Sequence, residues 1–144
     1  MKSCTMSQEG LQMGFEEISH TADWSVRVWA SDLPLLFAES ARAMNALAGT
    51  VTSQSPRVKR TFESEGHDVE SLLVAFLSEL VYYQEQENLA FDTFDIWMSD
   101  QKISVTMEGA QITSVDKAIK AVTYHNLKVE ETARGVEVVI VFDV

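Results

Sequence analysis

The segment Val136-Glu137-Val138-Val139-Ile140-Val141 is apolar at almost every position. A half-exposed strand alternates apolar and polar residues, so an apolar run this short predicts a strand inside a sheet and covered on both faces. Any fold of this chain has to build a sheet around it. The segment leads directly into Phe142-Asp143-Val144, so it also predicts that two acidic groups, the Asp143 side chain and the chain-terminal carboxylate, are held at the end of an ordered strand.

The rest of the sequence supplies partners for that strand. Trp24 to Trp29 alternates, with Val26 and Val28 against Ser25 and Arg27, and a period of two reads as a strand with one face inward. Phe15 to Ser19 is short and mixed. Ser31-Asp32 is an N-cap followed by Pro34, and Leu33, Leu36, Phe37, Ala41, Met44 and Ala48 recur at helical steps until Gly49, which predicts an amphipathic helix. Asp68 caps a second helix with a broad apolar face, Leu72, Leu73, Phe76, Leu77, Leu80 and Val81, that ends near the polar run Gln84 to Asn88. Thr50 to Pro56 reads as a loop and Arg57 to Glu63 as an edge strand. Phe94 to Met98 and Ile103 to Met107 form one expected hairpin, and Asn126 to Glu131 with Val136 to Val141 a second, around Thr132-Ala133-Arg134-Gly135. The fold class is α+β: a mostly antiparallel sheet packed with two helices, in one domain over 14–144 after a flexible leader, 1–13.

Charge narrows the partners. The chain of 144 residues carries 22 acids against 11 bases, a formal charge of -11. Binding bare nucleic acid relies on cationic groups that displace counterions from phosphates, so direct binding of RNA or DNA is not expected. A basic protein or a metal cation fits better. Cys4 is the single cysteine and has no intramolecular partner, and no stretch reaches the ~18 apolar residues of a membrane span. A cytoplasmic protein is the expectation.

No phosphate loop, nucleophile elbow, Cys-x-x-Cys or His-Glu-x-x-His motif is present. The candidate chemistry lies in dispersed residues. Asp143 shares the parity of Val139 and Val141, and Asp23 that of Ser25 and Arg27, just before another strand. If those strands are neighbours, Asp23, Asp143 and the terminal carboxylate of Val144 meet at one sheet edge, a set of hard oxygen donors suited to Ca²⁺, Mg²⁺ or Mn²⁺ rather than zinc. On spacing alone the plainer reading, Asp23 as a turn residue and Asp143 as a solvated terminus, stays open. His20 and His125 are candidates for proton transfer. Lys120, one of few cations, precedes a strand start and is a candidate for an ion pair or a partner contact. Trp29 and Trp97 oppose the apolar faces of their strands and are candidates for an interface patch.

Three segments taken together, His20-Thr21-Ala22-Asp23, Ala121-Val122-Thr123-Tyr124-His125-Asn126-Leu127-Lys128-Val129 and Val141-Phe142-Asp143-Val144, resemble the archease family in order and in the two helices between them. The resemblance spans about Phe15 to Val144. It implies a protein that is not itself an enzyme but the partner of an RtcB-type tRNA-splicing ligase, which seals RNA ends with GTP and a divalent metal. It also implies promotion of that ligase's guanylylation and multiple turnover. By the same resemblance Asp23, Asp143 and Val144 are the metal ligands, with Ca²⁺ the leading ion, and Lys120 contacts or activates the ligase. His20 and His125 stand in the matching motifs. Trp24-Ser25 replaces the more usual Ile-Gly, and Asn126 stands where Gly is common; Asn tolerates a left-handed turn. Two other readings are a stand-alone metal-dependent phosphoesterase and a metal-free, chaperone-like binding module.

Overall fold

The computed structural model describes residues 13–18 and 24–144. The expected leader, Met13 apart, and the His20 to Asp23 motif lie outside the described residues.

Among the described residues nine strands and two helices follow one another as β1 (Gly14–Ile18), β2 (Trp24–Ala30), α1 (Leu33–Ala48), β3 (Val51–Thr52), β4 (Val58–Glu65), α2 (Val69–Glu87), β5 (Leu89–Ser99), β6 (Lys102–Ser114), β7 (Ala121–Val122), β8 (Glu130–Thr132) and β9 (Gly135–Asp143). The helices begin and end where their caps dictate. Asp32 Oδ1 accepts the N–H of Leu35 at 3.0 Å and Asp68 Oδ1 that of Ser71 at 2.8 Å, each satisfying a donor left over at a first turn. Gly49 (φ 66) and Asn88 (φ 56) close α1 and α2 in the left-handed conformation.

Among the described residues all strand pairs are antiparallel, but they form two sheets rather than one. The first runs β1-β2-β9-β7, with β8 also on β9; the second sets β6 between β5 on one side and β4 and β3 on the other. Both helices lie between the sheets: α1 packs on β1 and β2 of the first and β5 of the second, and α2 on β7 of the first and β4 and β5 of the second. Phe76 of α2 is fully buried at the centre, its ring 6.0 Å from Phe37, 5.8 Å from Phe94 and 6.5 Å from Phe62. The layering explains why the apolar face of each helix is so broad, since each meets a sheet on two sides.

Three expectations change in detail. β9 is central, flanked by β2 on one side and by β7 and β8 on the other, yet helices cover only one of its faces: Val138, Ile140 and Phe142 are buried, while Val139 and Val141 are half-buried beside Arg27 and Ser25 of β2. Its apolar character comes from sitting between neighbouring strands as much as from the one face packed on the helices. The expected loop over 50–56 contains the two residues of β3, and the 57–63 segment is an edge strand as expected, pairing only with β6. Of the expected strand over 126–131 only the end is extended. Leu127 N–H closes a turn on Tyr124 O at 3.1 Å, Asn126 adopts φ 52, and Val129 N–H is taken by Glu70 Oε2 at 2.8 Å, so these backbone donors are not available to a ladder.

Candidate functional site

The end of the first sheet brings the start of β2 and the strand β7 against the end of β9. Trp24 of β2 pairs with Phe142 of β9, and Val122 of β7 pairs with Phe142 from the other flank, so the last residues of β9 lie between two strands. The register puts Ala121 opposite Asp143, and Lys120 N–H donates to the carbonyl of Asp143 at 2.7 Å. Thr123 bonds the carbonyl of Val141 through both its N–H, at 3.0 Å, and its hydroxyl, at 3.1 Å. The Asp143 carboxylate is exposed and, among the described residues, takes part in no ion pair or hydrogen bond. Val144 is half-buried against the core.

The segment leading into this edge is pinned at both ends. Asp116 and Lys117 both donate their N–H groups to Ala48 O, at 2.9 and 3.0 Å, at the end of α1, Ile119 is buried, and Lys120 is tied to β9. Two exposed lysines, Lys117 and Lys120, are thereby fixed on either side of a buried Ile. The ammonium of Lys117 stands 4.4 Å from the centre of the Trp24 ring, a cation–π contact. Sequence reasoning missed Lys117 and this use of Trp24. The signal for it was the spacing Lys117-Ala118-Ile119-Lys120 in a chain with few cations.

His125 belongs to the turn beyond β7 and is exposed. Its N–H bonds Thr123 Oγ1 at 3.2 Å, and its Nε2 lies 3.3 Å from the Asn126 amide nitrogen. His20 and Asp23 lie outside the described residues, and Asp23 directly precedes Trp24 in the sequence. Among the described residues no three His, Cys, Asp or Glu side chains converge.

The two tryptophans singled out from the sequence differ. Trp97 is 59% exposed on the outer face of the second sheet. Trp29 is instead covered by the Arg134 guanidinium, 3.7 Å above its ring. Arg134 also pairs with Glu137 at 3.0 Å, and Arg27 joins Glu137 to Glu16 at 3.5 and 2.8 Å. Burial pushes the Glu137 carboxyl up, but hydrogen bonds from Arg134 and the Thr132 hydroxyl, with the charges of Arg134 and Arg27, outweigh it and hold the group below the usual carboxylate range.

The architecture and its edge define a small acidic α+β domain with an exposed carboxylate and two fixed lysines at one strand end. Residues 15–144 match the archease protein family (MTH1598/TM1083), and the chain belongs to that family. It is 33% identical over 131 residues to the protein archease of Methanopyrus kandleri, covering 82% of this chain and 90% of that one. It is 30% identical over 129 residues to that of Pyrococcus furiosus, covering 84% and 91%. The fold is similar to the solution structure of Methanobacterium thermoautotrophicum protein 1598, with a TM-score of 0.69 and 24% identity over 91% of this chain and 99% of that one. It is likewise similar to the crystal structure of a Thermotoga maritima archease, described as a possible chaperone, with a TM-score of 0.65 and 21% identity over 90% and 96%. Among the described residues no helix is long and apolar enough to cross a membrane.

Proposed function

We propose that this chain is a cytoplasmic, metal-binding accessory protein that activates an RtcB-type tRNA-splicing RNA ligase, promoting its guanylylation and repeated turnover. The reading rests on membership of the archease family and on one observation, the antiparallel register Trp24 to Phe142. That register sets the start of β2, which directly follows Asp23 in the sequence, beside the end of β9, which carries Asp143 and leads into Val144.

The donor chemistry fits a hard divalent cation. Asp143 offers an exposed carboxylate that no described cation neutralises, and Asp23 and the terminal carboxylate of Val144 complete an all-oxygen set of the kind that selects Ca²⁺, Mg²⁺ or Mn²⁺. Such an ion, when bound, supplies positive charge for phosphate chemistry carried out by the ligase. The chain's own residues do the rest. The Lys120 main chain fixes the end of β9, leaving its ammonium free to meet the partner, and the acidic surface complements a basic, RNA-binding protein and speeds encounter.

Guanylylation of purified ligase, followed with metal present, tests this. Wild-type protein stimulates it, whereas Asp143→Ala and a one-residue extension after Val144 both lose the stimulation. Unchanged stimulation by both variants overturns the metal-edge mechanism.

A further inference from the structure

The opposite end of the fold carries a groove of about 650 Å³. It reaches Val136 at the start of β9, seven residues from Asp143, roughly 23 Å along the strand at ~3.3 Å per residue. Its floor is apolar, built from Leu33 and Pro34 at the start of α1, Val69 and Leu72 at the start of α2, Met98 near the end of β5, and Val136. Its rim is acidic: Asp32, Asp100, Glu130 and Glu131, with no Lys or Arg in the lining. Only Asp32 is committed, as the cap that accepts Leu35 N–H. Elsewhere the carboxylates of Glu16, Glu39, Glu87, Asp92, Glu108 and Glu137 pair with Arg or Lys; among the described residues none of the four rim acids does.

One wall of the groove is a strand edge. Glu130 and Glu131 are consecutive residues of β8 and both border it, and successive strand residues point to opposite faces, so the groove follows the edge of β8 rather than one face. Among the described residues β8 pairs only with β9. An open apolar floor, uncompensated carboxylates and a strand edge with no second ladder partner together fit an extended peptide with apolar side chains down and cationic ones out.

We propose that this groove docks a cationic amphipathic peptide segment of a partner protein, its Lys or Arg side chains against Asp100, Glu130 and Glu131 and its backbone alongside β8. The site is separate from the Asp143 edge and needs neither the metal nor the ligase.

The test uses a fluorescent synthetic peptide of alternating Lys and Val, with binding read by anisotropy and by amide shifts in the full chain. The combined variant Asp100→Lys, Glu130→Lys, Glu131→Lys lowers affinity by about tenfold or more. A variant with the same charge change on the outer face of the second sheet, Asp95→Lys, Glu63→Lys, Glu65→Lys, lowers it by less than about threefold. Shifts centre on Leu33, Val69, Met98 and Val129, and a Lys and Ser peptide binds at least about tenfold more weakly, because the floor gains nothing from it. Any of four results overturns the proposal: no binding of the Lys and Val peptide, equal losses in the two charge variants, equal binding of the Lys and Ser peptide, or shifts centred on Lys120 and Asp143.

Discussion

Lys120 is bound to Asp143 through its main chain alone: its N–H donates to the Asp143 carbonyl at 2.7 Å, while the side chain is exposed and free of ion pairs among the described residues. The strand end is thus anchored without the ammonium. Under the proposed function, structure and activity separate on this point. Lys120→Ala should change unfolding free energy by no more than about 0.5 kcal/mol, as for other surface substitutions. It should reduce ligase stimulation by about tenfold, the factor that ~1.4 kcal/mol of lost interaction gives. Urea unfolding and guanylylation assays on the same preparation check both halves, and a large stability loss would contradict the backbone-only anchor.

Phe76 joins the layers of the fold. Its ring touches Phe37 of α1, Phe62 of β4 and Phe94 of β5, and it is fully buried. Phe76→Ala removes contacts to three elements at once and leaves a cavity that both helices and the second sheet would have to close. The expected loss is about 3–5 kcal/mol, measured by denaturant unfolding.

Gly109 of β6 faces the backbone of β5 at close range. A Cβ there would overlap the carbonyl oxygen of Ala90 and the Cα of Phe91, which are backbone atoms beside the bulge between Phe91 and Thr93. Backbone cannot swing aside as a flexible side chain can. Gly109→Ala should therefore destabilise the protein by about 3 kcal/mol or more despite the small size of the added methyl. A thermal midpoint within a degree or two of wild type would show that β5 can shift away.

The helices were legible because each signal is local. Asp32 and Asp68 mark the starts, Gly49 closes the first and the polar run to Asn88 the second, and the apolar residues between recur at helical spacing. The central position of β9 followed from its apolar run, whereas its pairing with β2 was only a condition in the sequence and comes from the structure. The division into two sheets did not. Alternation in β4, β5 and β6 looks the same whether a strand joins the first sheet or a second, since the pattern records which face is buried and not which layer buries it. The contacts of Lys117 with Trp24 and of Arg134 with Trp29 were hidden for a related reason: each joins residues far apart in sequence, and only the assembled sheet brings them together. β7, with only two residues, was too short for any periodicity to register.

Glu137 gives the first sheet a measurable acid sensitivity. Its carboxylate is mostly buried on the outer face, and although burial opposes ionisation, hydrogen bonds from Arg134 and Thr132 and the charges of Arg134 and Arg27 hold it ionised below the ordinary glutamate value of 4.5. A carboxylate whose folded value is depressed contributes stability that is fully present above the unfolded value and is lost as pH falls through the folded one. The contribution should therefore be complete at neutral pH and decline below about 4.5. Glu137→Gln keeps the shape but removes the titration. The variant should be less stable than wild type at pH 7, because Arg27 and Arg134 lose their shared partner. The difference between the two proteins should shrink as the pH is lowered into the acid range. Paired urea unfolding curves over that range check this, and a constant gap at every pH would mean that Glu137 acts through packing and not through its charge.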